Sequence, residues 1–144
     1  MRAKMMEACL KPAALGLLTV LLLMGCAASP KYKDGVYTGV SGEDDRGAYG
    51  EVTVTIASGR VAKCLFVTWQ EDGSIKDEDY GKVNGEIENR DYYEKAQLAV
   101  RAMARYAAQF EETGALSGVD VVSGATIAYN QFTEAIDAAL ATAQ

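Results

Sequence analysis

The sequence predicts an α+β fold, an antiparallel sheet packed on two helices, and three observations carry that expectation. Glu51 to Ala57 alternates, with Val52, Val54 and Ile56 apolar against Thr53 and Thr55, the period of a half-buried strand. Apolar residues then recur at helical spacing from Tyr92 to Phe110 and again from Phe132 to Leu140, so each segment offers one buried stripe. Strand signals come first along the domain and helix signals after them, which suits an antiparallel sheet packed on helices.

In chain order, Gly35 to Val40 sets Val36, Thr38 and Val40 against Tyr37 and Gly39 and reads as an edge strand. Glu51 to Ala57 puts Val52, Val54 and Ile56 on one face, with Thr53 and Thr55 on the other. Ser58-Gly59 supplies a tight turn. Val61 to Trp69 is apolar on both faces and is expected to be the central, doubly covered strand. After the turn at Glu71-Asp72-Gly73, Lys76 to Arg90 is polar and aperiodic, hence a loop. Asp91-Tyr92-Tyr93-Glu94 has the spacing of a capping box with Asp91 as N-cap. The helix it opens carries a stripe of Tyr92, Ala96, Ala99, Val100, Met103, Ala107 and Phe110 and stops at Gly114. A second helix starts between Thr126 and Asn130 and turns Phe132, Ile136, Ala139 and Leu140 inward.

The N-terminus stands apart. Arg2, Lys4 and Lys11 precede a nearly unbroken apolar run from Ala13 to Met24, too short for the ~20 residues of a bilayer span and suited to a secretory signal. Leu23-Met24-Gly25-Cys26 resembles the lipobox of bacterial lipoproteins, whose cysteine is acylated and becomes the new N-terminus. The expected organisation is therefore a lipoprotein signal peptide at 1–25, a tether at 26–34 beginning with the lipidated Cys26, and the domain at 35–144. The expected location is the extracytoplasmic face of the cell membrane, held by the lipid anchor.

Composition excludes several functions. The signal carries three of the 14 Lys and Arg and one of the 20 acids, leaving a formal charge of −8 on the remainder. Nucleic acid is not an expected partner, since phosphate neutralisation needs clustered cations. The chain has no histidine, which removes Ser-His-Asp catalysis and the common His-ligated metal sites. Only Cys64 remains once Cys9 leaves with the signal and Cys26 is acylated, so no disulfide forms within the domain. Cys64 lies in an apolar strand and reads as a small buried hydrophobe. Asp77-Glu78-Asp79 lacks the spacing of a calcium loop and reads as a solvated run. Neither a catalytic residue set nor a metal site is expected.

One stretch does carry chemistry. Asp120-Val121-Val122-Ser123-Gly124-Ala125-Thr126 leads into the second helix, where unpaired N–H groups and the helix dipole favour a phosphate. Gly124 and Ala125 keep bulk away, Thr126 offers a hydroxyl at the helix mouth, and Asp120 is expected to brace the turn by accepting N–H bonds. The stretch resembles the Asp-x-x-Ser/Thr-Gly-Ala-Thr/Ser flavinylation motif of the FMN-binding domain family, which includes subunits of sodium-translocating NADH:quinone oxidoreductase and Rnf complexes. The resemblance implies FMN held covalently, as a phosphoester on Thr126, with Asp120, Ser123, Gly124 and Ala125 completing the cofactor-binding motif. It further implies a separate flavin transferase as maturation partner, which would supply the activation that a chain without histidine lacks. Many relatives carry a hydroxyl two residues after the acceptor, where this chain has Ala128.

The function these readings imply is electron transfer by a membrane-anchored flavoprotein, fed by a membrane redox donor and emptied by a separate acceptor. Such a protein is a redox carrier more than a self-contained catalyst. The alternative is a surface lipoprotein that uses the same fold as a non-redox binding module. Trp69, Tyr80 and Tyr129 are the aromatic candidates for contact with a flavin ring.

Overall fold

The computed structural model describes residues 31–144; the signal peptide, Cys26 and the start of the tether lie outside the described residues. Three strands, β1 (Gly35–Val40), β2 (Tyr49–Ala57) and β3 (Arg60–Trp69), precede two helices, α1 (Arg90–Thr113) and α2 (Thr126–Ala141), with a short 3-10 turn at Leu116–Gly118 between the helices. The strands form one antiparallel sheet in the order β1-β2-β3. This is the α+β architecture that the sequence predicts.

The hairpin joining β2 to β3 turns on two residues, Ser58 and Gly59, both with positive φ (53° and 71°). That conformation matches the right-handed twist of the flanking strands, and the Gly59 N–H is held by Asp34 Oδ1 at 2.8 Å. Two residues beyond the turn, the pairing skips Ala62: Ile56 opposes Val61 and Thr55 opposes Lys63. The bulge sets Cys64, Phe66 and Thr68 opposite Val54, Val52 and Gly50, so these side chains share the face that meets the helices.

The expectation that β3 is the central strand is wrong. β2 lies in the middle and β3 at an edge. The apolar residues on the other face of β3 include Leu65, half of whose surface is exposed, and no element of the described residues packs on that face. Continuous apolarity thus reflects one buried and one open face here, so the inference from two-sided apolarity to a central strand fails.

Both helices cover the inner face, α2 over β1 and β2 and α1 over β3. Val52, Val54 and Ile56 meet Met103, Tyr106, Phe110, Phe132 and Ile136 there. Phe132 is the hub of an aromatic cluster, with ring centroids 5.0 Å from Phe66 and 6.0 Å from both Tyr106 and Phe110. Small residues bring α2 close to the sheet. A Cβ on Gly39 would overlap the Ala135 carbonyl oxygen and the Ala139 amide nitrogen.

The start of α1 also departs from expectation. Asn89, not Asp91, is the N-cap, and its side chain accepts the Tyr92 N–H at 3.0 Å. Asp91 falls in the first turn instead, where its charge complements the helix dipole. Tyr92 is exposed and leaves the expected stripe, while Ala102 and Tyr106, absent from that stripe, are buried. Gly114 ends α1 in the left-handed conformation (φ 65°), its N–H on Phe110 O, as the sequence indicates.

Candidate functional site

The loop entering α2 is locked from below by a tyrosine. Tyr106 is fully buried on α1. Its hydroxyl accepts the Val122 N–H at 3.0 Å and donates to Ala125 O at 3.3 Å. Between those two points the chain makes a β-turn, Ala125 N–H to Val122 O at 3.0 Å, with φ of 84° at Gly124. A third-position residue with that φ is what a type II turn demands, and glycine adopts it without penalty. The ring of Tyr106 is wedged edge-on against Tyr129 at 5.5 Å, so the loop is tied to both helices.

Thr126 is the first residue of α2 and is exposed. Ala125 stands at the N-cap position and provides no side-chain cap, and the first helical bond runs from Tyr129 N–H to Ala125 O. The N–H groups of Thr126, Ile127 and Ala128 are therefore left without intrahelical acceptors. An anion is the natural complement.

Gly124, Ala125 and Thr126 line one wall of a cleft of about 770 Å³. The other walls come from residues 42–46 between β1 and β2, from Thr68 at the end of β3, from Lys76 and Tyr80 in the following loop, and from Ala99 and Met103 of α1. Burial pushes the Tyr80 hydroxyl up to about 12, with the neighbouring Tyr92 phenol adding to the shift, so it stays protonated. Lys76 faces Asp44 Oδ2 across 3.9 Å. Desolvation draws its ammonium below the ordinary lysine range, partly offset by the Asp44 charge.

The structure thus unites three of the five motif residues at the cleft and leaves two outside it. Ser123 and Asp120 are exposed and do not line the cleft. The Asp120 carboxylate accepts no N–H bond among the described residues; its own N–H is held by Gln109 Oε1 at 3.2 Å. The bracing expected of Asp120 falls to Tyr106. Of the aromatic candidates, Tyr80 lines the cleft and Trp69 and Tyr129 do not. Cys64 is buried, its thiol pushed up to about 12 by burial and by the Glu111 charge, too high for a reactive thiolate. Asp77 and Asp79 serve local purposes, Asp77 taking the Asp79 N–H at 2.9 Å and Asp79 pairing with Lys82 at 2.6 Å. Sequence reading missed Lys76 and Tyr106. Tyr106 lies three residues after Met103 and four before Phe110, so helical periodicity could have found it; nothing local marks Lys76.

A small α+β domain with a cofactor-sized cleft, an anion-ready helix terminus and a free hydroxyl at its rim defines a cofactor-binding module. The FMN-binding domain family matches residues 47–141, well over half of the chain, and the protein belongs to that family. FMN is accordingly the cofactor its domain binds. The residues present fit the group: free N–H donors for a phosphate, an aromatic face at Tyr80, and a cleft within the ~300–1,000 Å³ of ligand sites. The chain is similar in fold to the CPE2226 protein from Clostridium perfringens, whose crystal structure superposes with a TM-score of 0.61 over 78% of this chain and 88% of that one, at 21% identity. A comparison with curated proteins gives no match.

Proposed function

We propose that the protein is a membrane-anchored, extracytoplasmic electron carrier whose FMN is esterified to Thr126. The observation that carries this reading is the placement of Thr126: exposed, first in α2, and on the wall of the cleft. In the attachment step Thr126 Oγ bonds to the FMN phosphorus of FAD as the pyrophosphate P–O bond breaks. AMP leaves, and the hydroxyl proton passes to the transferase. This chain's part is positional. Exposure lets a second enzyme reach Thr126, Gly124 and Ala125 keep the approach open, and the free N–H groups of the first turn suit the resulting phosphodiester. The bound flavin supplies one- and two-electron chemistry. The lipobox-like Leu23-Met24-Gly25-Cys26 supports anchoring outside the cytoplasm, and a covalent cofactor suits a place where lost FMN is not recovered.

The test is co-expression with a flavin transferase, followed by mass spectrometry of the tryptic peptide after Arg105, which holds the whole motif. FMN on that peptide, absent in Thr126→Val and retained in Thr126→Ser, is the expected result. A transferase that labels a known acceptor in the same cells but leaves this protein bare would refute the ester. Labelling that survives Thr126→Val would move the site elsewhere, Ser123 first.

A further inference from the structure

Among the described residues, the Lys76 ammonium has no hydrogen-bond partner. Its backbone is pinned by the Lys76 N–H to Thr68 O bond at 2.9 Å and by the bridge between Trp69 and Ile75, so the side chain has a fixed origin. Only 13% of that side chain is exposed, yet no hydrogen bond from Nζ is found among the described residues. The carboxylate oxygen facing it, Asp44 Oδ2, stands at 3.9 Å, beyond hydrogen-bond range. Asp44 is committed elsewhere, its Oδ1 accepting the N–H groups of Arg46 and Ala48 at 2.9 and 3.0 Å. The ammonium sits 5.3 Å from the Tyr80 ring centroid, and both residues line the cleft. Three donors and a positive charge, stripped of most water, thus face the space that the cofactor would occupy. A group in that condition gains from an acceptor, above all an anionic one.

The phosphate is already provided for by the α2 terminus, which belongs to a different wall. We infer that Lys76 is the electrostatic contact of the flavin ring and holds its reduction potential up, an inference that rests on the FMN reading above. Taking up two electrons and one proton leaves a flavin ring anionic near neutral pH, and a neighbouring cation favours the charged form. The effect is a bias on an equilibrium. The electrons come from a reduced protein carrier in function and from dithionite in the assay.

The experiment is a spectroelectrochemical titration of flavin-loaded protein, with occupancy at Thr126 measured by mass spectrometry on the same samples. An opposite charge within ~4–6 Å shifts such equilibria by roughly one to three tenfold steps. The Asp44 charge offsets part of this, so Lys76→Met should lower the ratio of reduced to oxidised flavin about tenfold at fixed potential. For a two-electron couple that is about 30 mV. Lys76→Arg should hold near the wild-type value. Asp44→Asn, which keeps an acceptor oxygen but removes the opposing charge, should shift the potential the other way. Unchanged potentials in Lys76→Met and Asp44→Asn at normal occupancy would overturn the role of Lys76 alone. Normal potentials with reduced occupancy would assign Lys76 to loading and overturn it equally. Bare wild-type protein, tested next with added FMN, would refute the ester; if FMN then fails to bind, both readings fall.

Discussion

Replacing Tyr106 with phenylalanine isolates the latch beneath the motif loop. The ring stays, so the edge-on contact with Tyr129 and the packing on Phe132 are kept, and only the hydroxyl is lost. Two bonds go with it, but their losses differ. Ala125 O also accepts the Tyr129 N–H at 3.1 Å and remains satisfied. The Val122 N–H has no second acceptor among the described hydrogen bonds, and Val122 is half-buried. An unsatisfied buried donor costs about 1–3 kcal/mol; partial exposure of Val122 places this one at the lower end, about 1–2 kcal/mol. For a domain of this size that is roughly a 4–8 °C fall in Tm. Thermal unfolding of flavin-free Tyr106→Phe by circular dichroism reads that number directly. The same variant co-expressed with a transferase should load less FMN than wild type, because the turn presenting Gly124 and Thr126 is no longer fixed at both ends. A Tm within about 1 °C of wild type, together with full loading, would refute the latch.

Three further outcomes follow from the same geometry. Gly39→Val should cost about 3 kcal/mol in urea unfolding, since any Cβ there meets the α2 backbone; a near-neutral result would mean that α2 does not sit so close to β1. Thr126→Val should be colourless after co-expression and keep the wild-type circular dichroism spectrum, since Thr126 is exposed and lies outside the core; a collapse of the spectrum would give Thr126 a structural role instead. The Asp34 carboxyl is held below the usual aspartate range, chiefly by the Gly59 N–H and then by Ser58. Its contribution is therefore present above the unfolded value of ~3.9 and is lost as pH falls through the lower folded value. Tm measured from pH 6 to pH 2 should drop less steeply in Asp34→Asn than in wild type, and parallel curves would count against this.

What the sequence disclosed and what it hid divide along physical lines. Local signals were legible: the alternation of β2, the turn at Ser58-Gly59, the stop at Gly114 and a start of α2 between Thr126 and Asn130, which the structure puts at Thr126, are each set by a few adjacent residues. The motif loop was legible for the same reason, since glycine and small residues before a helix state a backbone requirement. Features that depend on partners far along the chain were not. Whether β3 is central or at an edge depends on which strands pair along its two sides, and the apolarity of Leu65 and Val67, which speaks only of the faces, cannot say. The cap passed from Asp91 to Asn89 because both are good N-cap residues and the choice depends on where the preceding loop enters. Asp120 had the right chemistry to brace its turn, but Tyr106, sixteen residues before Val122, reaches the free N–H from the core.

That division also explains the two sides of the cleft. The wall bearing Thr126 is tied to the aromatic core, through Tyr106 to Phe132 and through Phe132 to Phe66 of β3. The facing wall is made by residues 42–46 and by the loop after β3, joined by the long Asp44–Lys76 contact and the Lys76–Tyr80 stack. A modifying enzyme needs an acceptor hydroxyl at a reproducible position, which the rigid wall supplies. In the proposed reading, attachment and tuning fall on separate elements of this fold. Substitutions at Tyr106 should therefore change how much flavin is attached, and substitutions at Lys76 how the attached flavin behaves.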